Sequence, residues 1–119
     1  MTPYEAYYKA YNLGKRIPKL EPVISKDVYS SYYYAKHVIK GKWELGEAAI
    51  SQDALYSCCY AQMAIKGRFI LGEAAISKDA YWSYYYAKDV IKGKLPDFMH
   101  NQMILSNNEY TKNYIELIK

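Results

Sequence analysis

The stretch from Glu21 to Gly46, EPVISKDVYSSYYYAKHVIKGKWELG, decides the fold because the chain writes it three times. Glu47 to Gly72 reads EAAISQDALYSCCYAQMAIKGRFILG, and Glu73 to Phe98 reads EAAISKDAYWSYYYAKDVIKGKLPDF. The first and third copies agree at 17 of 26 positions. A period of 26 residues signals one supersecondary unit built repeatedly and stacked, since a single small unit cannot bury its apolar face alone.

Each unit reads as a short helix, a turn and a longer helix. Asp27, Asp53 and Asp79 stand where an N-cap carboxylate accepts backbone N–H bonds. Gly41, Gly67 and Gly93 stand where a left-handed C-cap residue is expected. The helix between them carries Val28, Ser31, Tyr32, Ala35, Val38 and Ile39 on one face of a helical wheel. Small residues at Ser31 and Ala35 predict close helix approach, and Tyr34, Tyr60 and Tyr86 predict packing between units. The short helix runs through Glu47-Ala48-Ala49-Ile50 and its equivalents, with an acidic residue in the first turn.

The ends read as degraded copies. A half unit covers 3–19, with Gly14-Lys15 placed 27 residues before Gly41-Lys42. A divergent cap covers 99–119, with Met103 in the place of Ile76 and Ile118-Lys119 in the place of Ile91-Lys92. The expected fold is therefore all-α: one domain, a small α-solenoid of three full units (21–46, 47–72, 73–98) with partial units at the ends.

Composition bounds the function. The chain has 119 residues, half of them apolar, and a net charge of +4. That mild positive bias permits an acidic partner but falls short of a dedicated nucleic-acid binder. No run approaches the roughly 18 apolar residues of a membrane span, and the first residues carry no secretory signal pattern, so a cytoplasmic protein without membrane attachment is expected. Tyrosine is the outlier, at 16 against 2 Phe and 2 Trp, and every one falls in a long-helix segment or its terminal equivalent. Cys58 and Cys59 are adjacent, which favours free thiols used as small packing groups. His37 and His100 lie far from them and from each other, so neither a metal site nor a Cys–His nucleophile assembles. No glycine-rich phosphate loop is present and no cofactor is implied.

Two surfaces are candidates for binding. Lys15-Arg16, Lys40 with Lys42, Lys66 with Arg68, and Lys92 with Lys94 flank the helix ends as a basic ridge. Tyr29, Tyr33, Lys36 and Lys40 form a stripe on the first long helix, repeated as Tyr81, Tyr85, Lys88 and Lys92 on the third; the middle copy has Leu55, Cys59, Gln62 and Lys66 instead. Trp43, Phe69 and Leu95 share one slot after the ridge. They read as a plug between units, with Trp43 a binding anchor if it is exposed.

The residues Tyr34-Ala35, Val38-Ile39-Lys40-Gly41-Lys42-Trp43, Gly46-Glu47, Ile50-Ser51 and Asp53 form a string that resembles short helical repeats in proteins of tailed bacteriophages and large DNA viruses. The resemblance covers residues 20–95, and more weakly the ends. It implies a viral origin, a binding scaffold, and a host or bacterial defence protein as the inhibited target, in the host cytoplasm. The expected function is thus a non-enzymatic protein-binding module. A nucleic-acid binder using the ridge and the stripe is the alternative, and pairing with a second copy through an end unit is a further possibility.

Overall fold

The computed structural model describes all 119 residues and is all-helical, with extents of 47 × 19 × 19 Å. Helix α1 (Pro3–Leu13) is followed by three pairs. In the first, α2 (Glu21–Ile24, led in by a 3-10 turn at Pro18–Leu20) precedes α3 (Val28–Tyr34). In the second, α4 (Glu44–Ile50) precedes α5 (Ala54–Tyr60). In the third, α6 (Glu73–Ser77, led in by Ile70–Gly72) precedes α7 (Ala80–Tyr85). The last pair is α8 (Asp97–Ser106) and α9 (Glu109–Leu117). The long helices touch in chain order, α1 on α3, α3 on α5, α5 on α7 and α7 on α9. The short elements likewise touch their neighbours in order, and no helix is long and apolar enough to cross a membrane.

The local chemistry repeats with the sequence. Asp27, Asp53 and Asp79 cap the long helices by accepting from the N–H of Ser30, Tyr56 and Trp82 at 2.8–3.1 Å. Ser31, Ser57 and Ser83 are buried and donate to the carbonyls of Ile24, Ile50 and Ile76, closing the end of each short helix. Thr111 does the same for Met103. Ser31, Tyr32 and Ala35 of the expected apolar face are buried; Val28, Val38 and Ile39 lie at its margin.

The close approach falls on glycines that the sequence did not single out. A Cβ on Gly46 would sit 2.5 Å from the Trp43 ring and 3.1 Å from Ser31; on Gly72 it would sit 2.5 Å from Ser57 Oγ.

The helix ends differ from expectation. Each long helix finishes in a wide turn, Ala35–Ile39, Ala61–Ile65 or Tyr86–Ile91, in which one alanine carbonyl takes two N–H groups. Ala35 accepts from Lys40 at 2.7 Å and from Gly41 at 3.2 Å. The wide turn carries one extra residue, so the left-handed position moves back by one. It is occupied by Lys40, Lys66 and Lys92, with φ of 59–62°, and not by the glycines beside them. Helix α1 lacks the extra residue. Its left-handed cap is Gly14, whose N–H reaches Ala10, so Gly14 matches Lys40 and not Gly41. The short elements also begin about one turn earlier than expected, which moves the repeated Glu from the helix start into its body.

At the C-terminal end, Thr111 and Tyr114 make the bonds of Ser83 and Tyr86, an offset of 28 residues. A second extra residue therefore falls near Asn107, and Ile118-Lys119 do not stand in the place of Ile91-Lys92.

Candidate functional site

The most regular polar feature is a buried tie in every unit. The hydroxyl of Tyr34 accepts the N–H of Ile17 at 3.2 Å and donates to Glu21 at 2.5 Å. Tyr60 accepts from Trp43 and donates to Glu47 at 2.7 Å, and Tyr86 accepts from Phe69 and donates to Glu73 at 2.6 Å. Tyr114 accepts from Leu95 and meets His100 Nδ1 at 2.6 Å. All four tyrosines are fully buried. Burial pushes the Tyr34 hydroxyl up to about 12, and Tyr60 and Tyr86 also upward. The slot residues complete the tie: the Tyr34 ring packs on Trp43 at 4.7 Å and Tyr60 on Phe69 at 4.9 Å. Every buried side-chain polar atom has a partner, so these groups are committed to one another.

Two of the ties carry a guanidinium. Arg16 grips Glu21 through two bonds of 2.9 Å, and Arg68 grips Glu73 at 2.8 and 2.9 Å. The Arg16 bond holds the Glu21 carboxyl below its usual range. Burial acts to raise Glu73, but the bonds from Arg68 and Tyr86 outweigh it and leave the group lowered. The basic ridge is thereby shortened, because Arg16 and Arg68 are engaged inside the chain. Lys40, Lys66, Lys92, Lys42 and Lys94 remain exposed, with Lys42 at 4.0 Å from Glu44.

Trp43 is not an exposed anchor. It is 4% exposed, clamped between the Tyr34 ring and Gly46, and belongs to the core.

The tyrosine stripe is continuous over the first half of the molecule. Tyr29 and Tyr33 lie 4.5 Å apart between ring centres, and Tyr33 stacks on His37. Burial and the Lys36 charge lower the proton affinity of His37. Tyr4 and Tyr7 of α1 join through Tyr29 and Tyr33, and Tyr56 of α5 joins through Tyr29, Tyr32 and Tyr33. A second group holds Tyr81, Trp82, Tyr84, Tyr85 and Tyr110. The Lys36 amine lies over Tyr32 and that of Lys88 over Tyr85, each near 6 Å.

One register runs the length of the stripe. Tyr4, Tyr29, Leu55 and Tyr81 occupy equivalent positions and are 45%, 45%, 38% and 39% exposed. Tyr8 and Tyr11 extend it on α1, both about half exposed. Tyr33 and Tyr85 are half-buried beneath it. Sequence reasoning missed Tyr4, Tyr8, Tyr11 and Tyr56. The signal was there: Tyr4, Tyr7 and Tyr8 match Tyr29, Tyr32 and Tyr33 at an offset of 25, one less than the period, because α1 lacks the wide turn.

Cys58 is buried, its thiol pushed up to about 12 by its surroundings, and Cys59 is half-buried and also raised by burial. Both are inert packing groups as placed. No three His, Cys, Asp or Glu side chains converge closely enough to hold a metal ion. Comparison with protein-family models, curated proteins and solved structures finds no match to this chain.

Proposed function

We propose that the chain is a non-enzymatic binding module, an α-solenoid of 26-residue units that presents its tyrosine face to another protein. The observation that carries this reading is the single exposed register Tyr4, Tyr29, Leu55 and Tyr81, backed by half-buried rings that hold it rigid. Tyrosine gives large contact area at low entropic cost, which is why it is enriched at interface hot spots. The commitment of the buried Tyr, Glu and Arg groups to one another supports a structural use for them over a catalytic one. A viral origin, and a host or defence protein as the target, extend the proposal along the sequence resemblance.

Nucleic acid is the second reading, favoured by the unpaired Lys40, Lys66 and Lys92 at equal spacing. It is weaker because the tyrosines pack edge to face on each other, whereas base stacking needs free ring faces.

Affinity capture from host cells with the wild-type chain should retain one protein at stoichiometric amount. The double variant Tyr29→Ala/Tyr81→Ala should lose it while keeping its unfolding midpoint. Retention of that protein by the variant sinks the reading. A mobility shift with RNA or DNA that weakens steeply with salt and vanishes on charge reversal at Lys40, Lys66 and Lys92 establishes the second.

A further inference from the structure

Two grooves on the edge where long helices end and short helices begin are the same groove one unit apart. The first is lined by Arg16, Glu21, Lys42, Trp43, Glu44 and Leu45. The second is lined by Lys42, Glu47, Ile65, Arg68, Phe69, Ile70 and Leu71. Each residue of the first, moved on by 26, is in the second. They differ at one point. In the first, Arg16 grips both carboxylate oxygens of Glu21. In the second, Lys42 stands in the place of Arg16 and turns to Glu44, 4.0 Å away. Glu47 keeps the bond from Tyr60 to one oxygen, and its other oxygen has no donor.

We infer that Glu47 is an open seat for an arginine supplied by a partner protein. The geometry of the occupied seat is set twice in this chain, at Glu21 and at Glu73, each time by a bidentate guanidinium. Lysine is a single ammonium on a flexible stem and cannot reproduce that fork. Local charge points the same way. Arg68 is neutralised by Glu73 and Lys42 faces Glu44, so Glu47 is the carboxylate left over.

The groove wall adds apolar grip, with Ile70 69% and Leu71 58% exposed. The arginine therefore comes flanked by apolar residues. A second copy of this chain does not fit, because its two arginines, Arg16 and Arg68, are both held by their own glutamates. The seat deepens the protein-binding reading, yet shares no residue with the tyrosine face, so the two fail separately.

The test uses the full isotope-labelled chain and the tripeptide N-acetyl-Leu-Arg-Leu-amide, followed by amide chemical shifts. Shifts should centre on Glu47, Ile70 and Leu71. The same tripeptide with uncharged citrulline should bind at least fivefold more weakly. Lys42→Arg fills the seat from within and should weaken the arginine peptide at least fivefold. Lys42→Met leaves the seat open and should bind the peptide at least as well as wild type. Equal binding of the citrulline peptide, undiminished binding by Lys42→Arg, loss in Lys42→Met, or shifts centred elsewhere would each overturn the assignment.

Discussion

The Tyr86 hydroxyl donates to Glu73 across 2.6 Å, while the same oxygen accepts the N–H of Phe69. One atom thus ties the long helix to its own short helix and to the turn that enters the unit. Tyr86→Phe keeps the ring and its packing but leaves a buried N–H unpaired and removes a donor from a buried carboxylate. The expected cost is about 1–3 kcal/mol. Urea unfolding followed by circular dichroism should show a lower midpoint for Tyr86→Phe. Tyr81→Phe, at the exposed register, should stay within about 0.5 kcal/mol of wild type.

Acid should weaken the fold through Glu21 and Glu73. Both carboxyls are held below their ordinary 4.5 in the folded chain. The unfolded chain therefore takes up protons first as pH falls, so stability is full above about pH 4.5 and drains away through the lowered folded value. Arg68→Met leaves Glu73 buried with only Tyr86 as donor and should lose about 2 kcal/mol at pH 7. The gap between this variant and wild type should narrow at pH 3, where the carboxylate that Arg68 serves becomes protonated. A gap that is constant with pH would mean that Arg68 acts through packing alone.

At the other extreme, burial raises Tyr7, Tyr32 and Tyr34 from 10 to about 12, and raises Tyr60 and Tyr86 as well. The folded state holds these protons while the unfolded state releases them near 10. Stability is thus intact below pH 10 and is lost as pH climbs toward 12. Tyrosinate absorbance should show a late phase that coincides with loss of helical circular dichroism.

The repeat, the N-caps and the burial of Tyr34, Tyr60 and Tyr86 were legible because they depend on residue type at a fixed spacing. The helix ends were not. A glycine after a lysine reads as the left-handed cap, and only the backbone reveals the extra residue of the wide turn that hands that role to Lys40, Lys66 and Lys92. The same extra residue hid Tyr4 and Tyr8, since matching the half unit by its glycine shifts its tyrosines out of register. Arg16 and Arg68 were read as ridge cations because nothing in a linear spacing of five shows a carboxylate sunk beneath a helix end. Trp43 was open either way in the sequence, and Gly46 beneath it decides the matter.

The left-handed lysines give a contrast that separates the two descriptions of the helix end. A non-glycine residue in that region costs about 1–2 kcal/mol, and glycine gives back roughly 0.5–1 in lost chain entropy. Lys40→Gly should therefore stabilise by about 0.5–1 kcal/mol. Gly41 has no positive φ, and a Cβ there meets nothing within 4 Å. Gly41→Ala should be tolerated and add about 0.4–1 kcal/mol. If Gly41 were the cap, Gly41→Ala would destabilise, and thermal unfolding of the two variants decides between the outcomes.

Gly72 shows the opposite behaviour for a glycine in ordinary backbone. Its φ of −93° suits any residue, so conformation does not require glycine there. Space does. An added methyl would fall 2.5 Å from Ser57 Oγ and 2.7 Å from the Phe69 ring. Ser57 is held by its bond to the Ile50 carbonyl, and Phe69 by the Tyr60 ring, so neither can give way without breaking a tie. Gly72→Ala should cost about 1–3 kcal/mol by overpacking. Because the methyl separates α5 from the start of the next short helix, the loss should appear in hydrogen exchange as faster opening of α6 and α7, with α1 and α3 least affected. Uniform acceleration along the whole chain would show instead that the units unfold as one body.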